Sequence, residues 1–152
     1  MTTTLPDLHG TLHLRGEFDL IHIRDGQVIS QETIPNLILN VGREYAAKLL
    51  NGMHTNPFKY IQLGTGTNAP AVTDTHLYTY YTEAEASASY TEGYRAVLSH
   101  TFTFSGSASI QEAGLCDGTH ASSPKMLSRQ VFSPRNVIAD DHLQTTWRIT
   151  AG

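Results

Sequence analysis

Apolar and polar residues alternate along most of this chain, and the alternation predicts a series of short strands. A first extended stretch runs over 8–33. Leu12 and Leu14 share one face of it, and Phe18-Asp19-Leu20-Ile21-His22-Ile23-Arg24 continues it with strand-forming residues. Asp25-Gly26 predicts a tight hairpin turn, because glycine accepts the positive φ such turns require, and 27–31 reads as the returning strand. Pro35 is expected to end this block. Further strands are predicted over 58–63, 94–104, 109–116 (with a bulge or bend at Gly114), 125–132, a short piece at 137–138, and 142–150. The last is the most regular: Leu143, Thr145, Trp147 and Ile149 take one face, and Gln144, Thr146, Arg148 and Thr150 the other. Asp117-Gly118, Ser133-Pro134 and Asp140-Asp141 are the expected turns.

One segment changes period. Val41, Tyr45 and Leu49 fall four apart, and Ala46 and Leu50 widen the stripe, which predicts one helix over about 41–51. Asn40 is its expected N-cap, and Asn51-Gly52 its stop. Residues 71–93 fit neither period. They carry Tyr78, Tyr80, Tyr81 and Tyr90 and read as a long, partly extended loop of the kind that makes contacts. Together the elements predict a mainly β fold, an antiparallel β-sandwich or jelly-roll-like arrangement with one short α-helix, in a single domain over 1–152. Residues 1–7, polar and holding Pro6, are expected to form an arm that is flexible or held by a partner.

Composition narrows the function classes. Only 16% of the 152 residues are charged, against roughly 25% in an average globular protein. A surface so poor in charge suits a subunit covered by neighbours, and equally a small β protein with a merely polar exterior. The net charge is −4 and no Lys/Arg cluster occurs, so nucleic acid is not an expected partner. No apolar run approaches the ~18 residues of a membrane span, and the start lacks the basic-then-apolar order of a secretory signal, so synthesis in the cytoplasm is expected. Cys116 stands alone and is expected to be a small buried residue rather than a disulfide or zinc partner.

The sequence offers little that resembles reaction chemistry. Gly64-Thr65-Gly66-Thr67-Asn68-Ala69 matches a dinucleotide fingerprint in letters, but Pro70 and the weakly helical residues behind it supply no helix to receive a pyrophosphate. His9 and His13 lie in a predicted strand, ~13 Å apart, too far to share a metal. No nucleophile elbow places a serine, and Glu83 and Glu85 face the same side of an extended segment. No catalytic residue, cofactor or metal is therefore expected. The tyrosines remain. They offer apolar area with a polar tip, suited to the domain's own core, to a protein partner, or to sugar rings.

The order of short motifs carries a resemblance. Pro35-Asn36-Leu37-Ile38-Leu39-Asn40-Val41-Gly42-Arg43-Glu44 is followed by Gly64-Thr65-Gly66-Thr67, Ala69-Pro70 and Asp74-Thr75-His76-Leu77. Then come Glu112-Ala113-Gly114-Leu115, Leu127-Ser128-Arg129-Gln130-Val131-Phe132 and the closing Trp147-Arg148-Ile149. Over about 35–150 this resembles a group of small virion proteins of tailed bacteriophages. The resemblance implies a non-catalytic β-rich component of a collar, tail, fibre base or capsid surface. Its partners would be identical subunits and other virion proteins. Within that class a neck or tail position is favoured; capsid decoration and a carbohydrate-binding module built on the tyrosines are the alternatives. Expected contact residues are Leu5, Leu8 and Leu12 from the N-terminal stretch and Tyr78, Tyr80, Tyr81 and Tyr90.

Overall fold

A computed structural model describes residues 12–152. Residues 1–11, with Leu5, Leu8 and the expected arm, lie outside the described residues. The described residues form nine strands and one α-helix. In order these are β1 (Leu14–Arg24), β2 (Gln27–Ile38), α1 (Asn40–Leu50), β3 (Tyr60–Gly64), β4 (Tyr80–Glu85), β5 (Ser87–Thr91), β6 (Arg95–Thr103), β7 (Ala108–Cys116), β8 (Met126–Val137) and β9 (His142–Ala151), with a short 3-10 turn at His120–Ser122. The predicted class, mainly β with one short helix, is the observed one.

All nine strands belong to one antiparallel sheet, ordered β4-β3-β7-β8-β2-β1-β9-β6-β5. The sheet curls until its two edge strands, β4 and β5, are separated in sequence only by Ala86, so it is nearly closed into a barrel. The period-two pattern explains the curl's interior. Phe18 and Leu20 of β1, Leu98 and Phe102 of β6, Ile110, Ala113 and Leu115 of β7, and Leu143, Trp147 and Ile149 of β9 all point into one core. Phe18 and Trp147 pack ring against ring at 4.6 Å. Burying each such side chain contributes about 1.5–3 kcal/mol, so this alternation is the main source of the fold.

The β1–β2 turn is as expected: Asp25 and Gly26 both have positive φ, 51° and 75°, the geometry that matches strand twist in a two-residue hairpin. Several boundaries differ from expectation. β2 does not stop at Pro35 but continues to Ile38. Pro35 lies opposite Glu17 of β1, and β8 joins the other side of β2 only at Leu37 and Ile38, so the missing N–H leaves no ladder bond unmade. Likewise β8 runs through the expected turn at Ser133-Pro134. Val131 pairs with Glu112 and Arg135 with Ile110, so Phe132, Ser133 and Pro134 bulge out opposite the single residue Gln111. The expected irregularity at Gly114 falls instead at this bulge and between Leu115 and Cys116. The expected loop over 71–93 ends at Thr79; Tyr80, Tyr81 and Tyr90 lie in β4 and β5.

The helix packs on the outside of the sheet. Its N-cap is Leu39, without a side-chain cap, and Asn40 is already helical. The Asn40 amide instead donates to the Val72 carbonyl at 2.8 Å. Gly42 is the buried helical residue, because a Cβ there would come within 2.5 Å of Leu127 Cα. Backbone meets backbone, and the expected Tyr45/Leu49 face only half-buries. A second, smaller cluster of Leu39, Leu77, Cys116 and Met126 fills the space between helix, loop and sheet.

Candidate functional site

The three motif segments of the sequence converge on one buried ionic cluster. β7 brings Glu112, β8 brings Arg129, and the loop after β3 brings Gly66, Asn68, Asp74, Tyr78 and Thr79. Glu112 and Arg129 are fully buried. The Glu112 carboxylate accepts the backbone amides of Gly66 (2.8 Å), Tyr78 (3.0 Å) and Thr79 (2.8 Å). It also accepts Nε and Nη2 of Arg129, at 3.2 and 3.0 Å. Arg129 also donates to Asp74 Oδ2 (3.0 Å) and the Asn68 carbonyl (2.9 Å). Asp74 Oδ2 accepts in turn from the Ala71 amide.

Local structure explains why these residues suit the place. A Cβ on Gly66 would sit 2.3 Å from Glu112 Oε2, and one on Gly64 2.4 Å from the Thr79 carbonyl, so both glycines are there for close approach. Thr65 N–H donates to that same Thr79 carbonyl at 2.9 Å, closing the base of the loop. The Tyr78 ring lies over the Arg129 guanidinium at 4.6 Å, a cation–π contact.

This cluster is saturated. A carboxylate has about four lone-pair directions, and Glu112 already accepts five bonds. It has no capacity left to take a proton from a substrate. The arrangement is a clasp, and its product is a rigid loop over 65–79. That loop presents Thr67, Val72, Thr73, Thr75, His76 and half-exposed Tyr78, and its only charged side chain, Asp74, is tied to Arg129. The loop's exposed surface is uncharged and carries one tyrosine.

Two further His–Asp pairs serve the frame. His22 Nε2 lies 2.7 Å from Asp141 Oδ2, and Arg24 holds both oxygens of the same carboxylate, which also accepts the Ile138 amide. Arg24 beside it, and then His22 and Ile138, hold the Asp141 carboxyl well below the ordinary carboxylate range against the opposing effect of burial. His54 Nε2 lies 2.7 Å from Asp117 Oδ2, while Asp117 Oδ1 accepts the Lys125 amide, pinning the segment after α1 to the end of β7. Among the described residues no group of three or more His, Cys, Asp or Glu is placed to hold a metal ion. Cys116 is buried, and burial pushes its thiol far above its usual value.

Among the described residues, the expected contact residues lie in different surroundings. Leu12 is exposed beside the start of β1. Tyr78 stands on the clasp. Tyr80 stacks on His120 at 3.9 Å, and Tyr81 lies against Phe104 at 6.3 Å. Tyr90, 67% exposed, is alone on the outermost strand. Asp74, Glu112 and Arg129 fall inside the sequence motifs, and their type and spacing alone assign them no role. The signal is a single charge inside each of three otherwise uncharged segments, two of them acidic and one basic. Comparison with models of known protein families, with curated proteins and with solved structures returned no match.

Proposed function

We propose that this protein is a non-catalytic structural subunit of a tailed-bacteriophage particle, seated at the neck or tail and held there by contacts with identical and different virion subunits. The observation that supports the reading is the clasp. The motif segments on which the resemblance rests are the ones whose charged residues, Asp74, Glu112 and Arg129, meet in the fold. They are spent on stiffening an uncharged loop surface rather than on binding or transforming a small molecule. A pre-organised surface lowers the ordering entropy that each contact must overcome, which suits a part used many times in one assembly.

The edge strands agree with this reading. β5 (Ser87-Ala88-Ser89-Tyr90-Thr91) is exposed throughout, carries no charge and no proline, and pairs only with β6. Such an edge lacks the usual guards against pairing with another chain. The reading predicts that Val72→Asp, which charges the loop at an exposed side chain outside the clasp, lowers incorporation of the protein into particles at least several-fold while its thermal unfolding is unchanged. Incorporation equal to that of the unaltered chain, measured by immunoblot of purified particles, would contradict it.

A further inference from the structure

The strands of one half of the barrel run between two chemically opposite ends of the molecule. At one end lie the start of β1, the end of β9 and the start of β6, with Leu14 opposite Ala151 and Arg95 opposite Thr150. An open groove of about 1180 Å³ lies here between α1 and the sheet. Its lining includes Arg15, Arg43 and Arg95 together with Leu12, Ala47 and Leu50. All three arginines are exposed. Every other arginine in the described residues, Arg24, Arg129, Arg135 and Arg148, is held in an ion pair; these three are in none among the described residues. Leu50 is 81% exposed and Leu12 61%. Exposed Glu92 in the β5–β6 turn offsets one of the charges, and Glu17 in the lining is paired with Arg148.

At the other end, roughly 33 Å away along the eleven residues of β1, lie the β1–β2 hairpin tip and the β8–β9 turn. Here Asp25 and Asp140 are exposed and in no ion pair among the described residues, while Arg24 and Asp141 neutralise each other. Val28, Ile29 and Ile138 are 58%, 48% and 44% exposed. Ile29 is the extra residue of a bulge, since Ile23 pairs with Val28 and His22 with Ser30. Arg24 Nη2 donates to the Asn136 carbonyl, which draws the hairpin tip and the β8–β9 turn together.

One end is thus an apolar groove rimmed by guanidinium groups in no ion pair among the described residues, and the other an apolar knob carrying carboxylates in none there either. We infer that the hairpin tip of one copy seats in the groove of the next, with Asp25 and Asp140 meeting Arg15, Arg43 and Arg95, and Val28 and Ile29 covering Leu12 and Leu50. Guanidinium and carboxylate groups pair with defined geometry, which fixes the register of such a contact. The groove's apolar wall and its three arginines suit a peptide better than a polyanion, which needs a longer run of cations. A contact joining different surfaces at opposite ends is head-to-tail, so it propagates: it closes into a ring if the rotation per copy permits, and otherwise extends as a filament. The inference rests on the reading of the protein as an assembling subunit and names the surfaces used.

The test separates the two halves of the contact. A tip variant, V28S with I29S, keeps the groove; a groove variant, R43E with R95E, keeps the tip. All four positions lie at the surface, and melting curves check that each variant stays folded. Light scattering of the unaltered chain should show species larger than a dimer that shrink as salt rises. Each variant alone should associate at least about tenfold more weakly. Their equimolar mixture has one intact contact and should stop at a one-to-one dimer. The inference is overturned if both variants assemble like the unaltered chain, which leaves the assembling-subunit reading standing on other surfaces. It is equally overturned if the unaltered chain stays monomeric at millimolar concentration, or if the mixture yields no heterodimer.

Discussion

Glu112 and Arg129 are the residues on which the loop's shape depends most. Removing one partner of a buried pair leaves the other charged and unsatisfied, which costs about 3–5 kcal/mol. Arg129→Met should therefore destabilise the protein by that much in denaturant titration, and the double change Glu112→Gln with Arg129→Met by less than the sum of the singles, because Glu112 is then no longer a stranded charge and only Asp74 loses its partner. Additive effects would mean that the two side chains do not act as a pair. Acid stability is set partly by Asp141. Arg24 holds its folded-state carboxyl below the unfolded value, so the stability it contributes is complete above the ordinary carboxylate pKa of about 4 and is lost as pH falls toward the depressed value. Asp19, lowered chiefly by its hydrogen bond to Arg148, acts in the same direction. Asp141→Asn should flatten the fall in stability below about pH 4; an acid limb as steep as before would show that this carboxylate is not coupled to folding. At this scale the sequence hid the clasp, because a charge in a strand looks the same whether it faces water or a buried partner 17 residues away.

At the scale of elements, the strands with one face in the core and one in water were plainly legible. β1 and β9 alternate without a break, and the Asp25-Gly26 turn fixes the β1–β2 pairing. The prolines misled, because Pro35 and Pro134 terminate strands only where their missing N–H would break a ladder bond, and here pairing on the needed side is absent. β4 and β5 were missed for a different reason. As edge strands on the rim they bury few apolar side chains, so Tyr-Tyr-Thr-Glu-Ala-Glu and Ser-Ala-Ser-Tyr-Thr lack the contrast that marks a core strand. The helix was found, but not its contact. Periodicity pointed to Tyr45 and Leu49, whereas the close approach is made by Gly42. Gly42→Ala adds up to about 1 kcal/mol of helix propensity, but its Cβ would overlap the Leu127 backbone. Steric overlap of that kind costs about 1–3 kcal/mol or more, so a lower melting temperature is expected. Leu50→Ala, at an exposed position of the same helix, should be near neutral; a stabilising Gly42→Ala would show that the helix is not seated on β8.

The whole molecule is a nearly closed barrel with few charged residues. On the proposed reading, the clasped loop, the uncharged edge strand β5 and the two oppositely charged ends are surfaces for other subunits. The proposal draws rigidity from a buried ion cluster and directionality from charge separated along β1. On the proposed reading the chain is phage-encoded, and the most direct measurement is its copy number in purified particles of that phage, by quantitative mass spectrometry. The account predicts a fixed, small whole-number ratio to known neck or tail proteins that survives salt washing. A chain absent from the particles, or present in amounts that vary from one preparation to the next, would contradict it.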